Sequence, residues 1–202
     1  MTMNHAVEMH PSGLLVDLID PKPEHISIED IAWSLSRTAR FNGSTGGEFV
    51  YSVAQHSVWV SMAIQHFWGR DASFALKALL HDAHEAYTGD IVTPMKRIGS
   101  LHEAIAEIEG RLQRTIHIAL DVPRPGEGEA YLIKQADTLA SIVEAHHLVP
   151  SRGAHWEIPP SEVPRIILDT FNTPLPPMHA YEQFMEVYCD LVAGRPLEAL
   201  CA

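Results

Sequence analysis

The 202 residues carry 26 acidic against 14 basic side chains, and the formal charge of −12 argues against a protein built to grip duplex nucleic acid, where Lys and Arg must displace the counterions of the phosphate backbone. A hydrophobic content of 46% suffices for one buried core, yet no stretch approaches the roughly 20 apolar residues needed to span a bilayer. The start, MTMNHAVEMHPSG, lacks the basic segment and apolar run of a secretory signal, so a soluble, cytoplasmic chain forming one domain over 1–202 is expected.

Residues 1–26 read as an irregular N-terminal segment in which Leu14–Ile19 forms a strand or edge ribbon, stopped by Asp20-Pro21. Ser27 then reads as the N-cap of a first helix, with acidic residues in its first turn and Ile28, Ile31 and Leu35 on one face. Gly43, Gly46 and Gly47 make 41–50 a loop, and a second helix follows from Val53 to about Trp68. Asp71 caps a third segment, SFALKALLHDAHEAY, whose Ala and Leu content predicts a helix buried on most sides. Gly89 and Pro94 interrupt it. Residues 101–120 have the spacing of the longest clear amphipathic helix, and EAYLIKQADTLASIVEAHHLV that of another. The segment 150–177 is Pro-rich, with a short helix expected at 161–170, and HAYEQFMEVYCDLV closes the chain as a terminal helix. Alternating strand patterns are scarce, so the class is all-α, with about six to eight helices.

The only cysteines, Cys189 and Cys201, form neither a disulfide framework nor a zinc knuckle, so any metal must come from the 13 His and the carboxylates. His56 on the second helix, His81 and Asp82 near the end of the third, and Asp137 on a later one are such donors. A bundle can bring them around one cation, and mixed imidazole and carboxylate ligands suit a divalent transition ion with positions open to water and substrate. The His-Asp dipeptide by itself is common and would serve equally as a pair of surface or cap groups. The zincin pattern is excluded, because it requires Glu directly after the first His, where Asp82 stands. Glu85 follows His81 by four residues and Asp82 by three, so on a continuous helix it projects over the same face. There it could take a proton from water that a divalent ion acidifies from about 15.7 towards roughly 7; without such a site it is an ordinary solvated Glu.

The strings YSVAQHSV around His56, HDAHEAYTGDIVTPMK from His81 to Lys96 and IKQADTL around Asp137 resemble phosphohydrolases of the HD superfamily, most closely the bacterial 5′-deoxynucleotidase branch and its prophage relatives. The likeness extends to SLSR and RFNG before the first His and to HAYEQFMEVYCDL near the end. It implies a single HD-type helical domain with His56, His81, Asp82 and Asp137 as ligands of one divalent ion (Mn, Co, Fe, Ni, Zn or, less readily, Mg). It implies Glu85 and Asp90 near the attacking water and the sugar, and Arg40, Lys96 and Lys134 on the phosphate. Cations beside a metal would hold a phosphoryl group and neutralise charge in the transition state. Lys134, one turn before Asp137, is expected to point towards the metal. Phe41 stands where that branch has Trp after the phosphate Arg, so sugar selectivity does not carry over.

The expected activity is phosphate release from deoxynucleoside 5′-monophosphates, with deoxynucleoside triphosphate triphosphohydrolase as the enzymatic alternative and a non-catalytic nucleotide-binding module as the alternative of another class. The resemblance also implies a homodimer. His84 reads as a partner of the ligands, a phosphate-facing group or a surface residue. His102 and His117 lie where binuclear members place extra ligands, but their local sequence does not match, which favours one metal. His146-His147 at a helix end are expected to be solvated or paired with the helix dipole. Trp33, Trp59, Trp68, Phe74, Phe171 and Cys189 fit helical core spacing.

Overall fold

The computed structural model describes residues 5–155, 163–171 and 173–197. An antiparallel pair of short strands, β1 (Ala6–Glu8) and β2 (Leu15–Asp17), precedes the helices α1 (Ile28–Leu35), α2 (Val53–Trp68), α3 (Ala72–Leu79), α4 (Glu85–Thr88), α5 (Thr93–Lys96), α6 (Leu101–Ala119), α7 (Glu127–Leu148), α8 (Arg165–Leu168) and α9 (Pro177–Val192). Three of these, α4, α5 and α8, are single turns, so the helices of two turns or more match the expected bundle.

The axis of the fold is α2, which packs against α1, α3, α7 and α9. Its sequence explains why: most residues from Val53 to Ile64 are buried, and a helix apolar on nearly all sides finds its minimum in the middle of a bundle. Ser52 caps its start by accepting from the Gln55 backbone N–H, and Gly69, in the left-handed region at φ 60°, ends it. The Ser61 hydroxyl donates across to the Ala75 carbonyl of α3 (2.8 Å) and the Trp59 indole N–H to Thr170 Oγ1 (3.1 Å). Both polar atoms are thus satisfied where burial would otherwise penalise them.

Ser27 caps α1 and Asp71 caps α3, and Ile31 and Leu35 are buried, as the spacing predicts. The N-terminal ribbon is pinned by Ser12, whose backbone N–H and hydroxyl both donate to the buried carboxylate of Asp30, and by Arg111 of α6, which donates to the Ile19 carbonyl (2.7 Å).

The amphipathic α6 has 19 residues, and α7, buried along much of its length and much less amphipathic, is longer with 22. Three expectations need correction. The short helix expected at 161–170 occupies Arg165–Leu168, and residues 161 and 162 lie outside those described. Cys189 is exposed: Ala180, Phe184 and Leu191 mark the buried face of α9, and a residue five places after Phe184 points away from it. Cys201 lies outside the described residues.

The third correction bears on the site. The helix from Asp71 does not run through to Tyr87 but stops at Leu79, because side chains take its backbone groups. The His81 imidazole donates to the Ala78 carbonyl (2.8 Å), Gln113 Nε2 donates to the Leu80 carbonyl (2.6 Å), and the His84 backbone N–H goes to Gln113 Oε1 (3.3 Å). One amide of α6 thereby replaces the bond an α-helix would make between His84 and Leu80. The chain turns instead through shorter-range bonds, Ala83 to Leu80, Glu85 to Asp82 and Tyr87 to His84.

Candidate metal centre

This turn carries His81 and Asp82 towards His56 of α2 and Asp137 of α7. Each of the four offers one ligand atom, and these atoms all lie within 4.8 Å of one another. His56 Nε2 is 3.2 Å from Asp137 Oδ1 and 3.7 Å from Asp82 Oδ2, and His81 Nε2 is 3.0 Å from Asp82 Oδ2. The two imidazole centroids are 5.3 Å apart.

Both rings are held by their other nitrogen. His81 Nδ1–H donates to the Ala78 carbonyl, and His56 Nδ1–H donates to Glu144 Oε1 at 2.6 Å. Each arrangement leaves Nε2 with a lone pair, and both Nε2 atoms are buried without a hydrogen-bond partner. Bare nitrogens facing carboxylate oxygens repel unless a positive charge lies between them. The donor set, two imidazoles and two carboxylates with their outer nitrogens anchored, fits a divalent transition ion.

Without such an ion a proton takes the same place. Burial and Arg40 work against a proton on His56, yet Glu144 and Asp137 outweigh them and push its pKa up to about 10. Despite burial, His56 holds Asp137, and His81 and His56 hold Asp82, below the usual carboxylate range.

The remaining sequence-predicted residues border this cluster. Arg40, on the loop before α2, is partly buried against α7: its Nε and Nη2 lie 3.2 and 3.1 Å from Glu144 Oε2, Nη2 donates to Ser141 Oγ (2.9 Å), and Nη1 faces Asp90 Oδ2 at 3.8 Å. Lys134, three residues before Asp137 on α7, places its Nζ 2.7 Å from Asp137 Oδ2. Glu85, no longer helically continuous with His81, still comes close to Asp82 and His84, and its Oε2 is buried and unpartnered. Burial pushes its pKa up to about 9, reinforced by Asp82 and Asp90 and opposed by Arg40 and Lys96. Lys96 closes this side, 2.8 Å from Glu109 Oε1 and 4.0 Å from Glu85 Oε1. Its ammonium supplies positive charge to the second grouping of Asp82, His84 and Glu85.

A profile of the family described as 5′-deoxynucleotidase YfbR-like matches residues 33–149, the stretch that holds every residue of the cluster from Arg40 to Glu144. The chain belongs to this YfbR-like branch of the HD-domain proteins. It is also 38% identical over 149 residues to an uncharacterized protein of Rhodobacter capsulatus, covering 72% of this chain and 74% of that one. To the uncharacterized protein YfdR of Escherichia coli K12 it is 34% identical over 173 residues, 83% of this chain and 85% of the relative.

In this YfbR-like chain, sequence reasoning missed two residues that shape the site. Glu144 follows Asp137 by seven positions, two helical turns on the same face of α7, and that spacing was a usable signal. Gln113 had none, because its partners at Leu80 and His84 lie 33 and 29 residues away. His117 supports it: its Nδ1–H donates to the Val122 carbonyl, leaving Nε2 to accept from Gln113 Nε2 at 3.3 Å. His102 is exposed, and His147 stacks on Phe171 at 4.5 Å with Nε2 2.9 Å from the Leu168 carbonyl. Among the described residues no helix is long and apolar enough to cross a membrane.

Proposed function

We propose that this YfbR-like protein is a metal-dependent nucleotidase that releases phosphate from deoxynucleoside 5′-monophosphates. The observation that carries this reading is the convergence of His56, His81, Asp82 and Asp137, with two buried imidazole nitrogens aimed at a common point and left without hydrogen bonds. When bound there, a divalent ion supplies Lewis-acid polarisation of the phosphoryl oxygens and a more acidic attacking water.

The chain's own groups do the rest. Arg40 Nη1, Lys96 and Lys134 bind the phosphate dianion and offset the charge that gathers on its oxygens as phosphorus is attacked. Beside a bound divalent cation the Glu85 carboxyl would ionise more readily than in the metal-free protein, and its buried Oε2 then takes the proton of the attacking water, while Asp90, 3.8 Å from Arg40 Nη1, meets the sugar. The water oxygen bonds to phosphorus, the bond from phosphorus to the 5′ oxygen breaks, and that oxygen takes up the proton Glu85 accepted, so that the nucleoside leaves as its 5′-hydroxyl.

The test is a panel of deoxynucleoside mono- and triphosphates with Mn²⁺, Co²⁺, Fe²⁺, Ni²⁺, Zn²⁺ and Mg²⁺ added separately to metal-stripped protein. Orthophosphate from monophosphates is the expected product. Release of intact triphosphate would instead assign a triphosphohydrolase, and nucleotide binding without any phosphate release would leave a non-catalytic module.

A further inference from the structure

Building on that reading, we propose that Glu144 is a positioning residue that ties the metal-ligand imidazole of His56 to the phosphate-binding guanidinium of Arg40. Its side chain is 2% exposed, and both oxygens are in use: Oε1 accepts from His56 Nδ1–H at 2.6 Å, and Oε2 accepts from Arg40 Nε and Nη2 at 3.2 and 3.1 Å.

The two jobs are separate in chemistry and joined in geometry. On His56, the acceptor fixes which nitrogen carries the hydrogen, so that Nε2 is presented bare. On Arg40, the carboxylate occupies the edge made by Nε and Nη2, helped by Ser141 one turn earlier on α7. Only Nη1 is left to swing between Asp90 and a phosphate oxygen. An ionised carboxylate accepts at both oxygens and donates at neither, which is what a group wedged between two N–H donors must do. It also offsets the charge of Arg40 more closely than Asp90 does, at 3.1 Å against 3.8 Å.

The backbone supports the same coupling. Arg40 N–H donates to the Tyr51 carbonyl (2.8 Å) and Val53 N–H to the Thr38 carbonyl (3.0 Å), so the strand-like bridge between Ala39 and Ser52 leads directly into the first turn of α2, from which His56 projects. Arg40 and His56 therefore hang from one short ladder and meet at one carboxylate of α7.

The experiment compares wild type, Glu144→Gln and Ser141→Ala, each shown to be folded by its melting temperature. Metal-stripped protein is titrated with Co²⁺ and followed by visible absorption; KM and kcat for a deoxynucleoside monophosphate are measured separately at saturating Co²⁺. The amide keeps one acceptor and adds donors, so Glu144→Gln is expected to weaken Co²⁺ binding 10–100-fold and also to raise KM with a smaller change in kcat. Ser141→Ala, which touches only the Arg40 arm, is expected to raise KM a few-fold with wild-type Co²⁺ affinity.

A folded Glu144→Gln protein with wild-type Co²⁺ affinity and KM overturns the proposal, as does a loss confined to one of the two. If the amide variant does not fold, Glu144→Asp, which keeps the charge and withdraws the oxygens by one methylene, must show the same paired losses. Wild type that binds no Co²⁺ or releases no phosphate would count against the nucleotidase reading itself, a result distinct from indifference to position 144.

Discussion

His81 and His56 present the same ring atom to the same point by opposite means. The His81 ring is anchored within its own turn, to the Ala78 carbonyl three residues earlier, and the turn itself is shaped by one amide from α6. The His56 ring is anchored to Glu144, 88 residues later, through a carboxylate that also serves Arg40. The first arm is local backbone chemistry that any sequence with a helix end could make. The second is a long-range polar network buried where an unpaired charge is expensive, so it specifies how α2 and α7 pack as well as how a ligand points.

The largest effect is expected where both arms meet. Asp137→Ala removes the carboxylate facing His56 Nε2 and should reduce divalent-ion affinity more than the roughly 10–100-fold typical of losing an outer partner, with activity falling alongside, as read by metal content after dialysis. Glu85→Ala sharpens the contrast between holding metal and doing chemistry: metal content should stay at the wild-type level while kcat falls by about 10²–10⁴, the usual range for a general base. Turnover at the wild-type rate would remove Glu85 from the mechanism.

Gln113→Ala attacks the local arm. It leaves the Leu80 carbonyl and the His84 N–H without their partner, which should destabilise the fold by about 1–3 kcal/mol in urea unfolding. The shape of the His81 turn should suffer more than the His56 side. A Gln113→Ala protein as stable as wild type would show that the turn holds without α6.

Glu85 also gives a pH signature. Its folded pKa of about 9 stands above the ordinary 4.5, so its contribution to the stability of metal-free protein is complete below pH about 4.5 and is lost as pH rises through about 9. Urea midpoints of metal-free wild type should decline across that window more steeply than those of Glu85→Gln, whose amide mimics the neutral acid. Equal slopes would refute the assignment. The smallest effect is expected from Lys134→Ala. With its side chain 73% exposed, its loss should change stability by no more than about 0.5 kcal/mol and appear as a modest rise in KM.

Much of the fold was legible because it rests on local rules. Ser27, Asp71 and Gly89 punctuate the helices where capping and glycine chemistry demand, and the apolar spacing of Val53–Trp68 marks the central helix. The four candidate ligands were legible from donor chemistry joined to their surrounding strings. The break at Leu80 was not, since Ala and Leu favour helix there and the competing hydrogen bonds come from Gln113, distant in sequence. Cys189 was misplaced for a related reason: α9 has a wide half-buried flank, and spacing alone put the thiol on the wrong side of its edge. Glu144 was legible only in part: its seven-residue spacing from Asp137 puts both on one face of α7, but only the folded bundle brings it between His56 and Arg40.

The most direct test of the metal centre is anomalous diffraction from crystals of this protein grown or soaked with Mn²⁺. A single strong peak within bonding distance of His56 Nε2, His81 Nε2 and one oxygen each of Asp82 and Asp137 is the predicted result. A peak elsewhere, or none at saturating Mn²⁺ with those four side chains ordered as they are here, would contradict it.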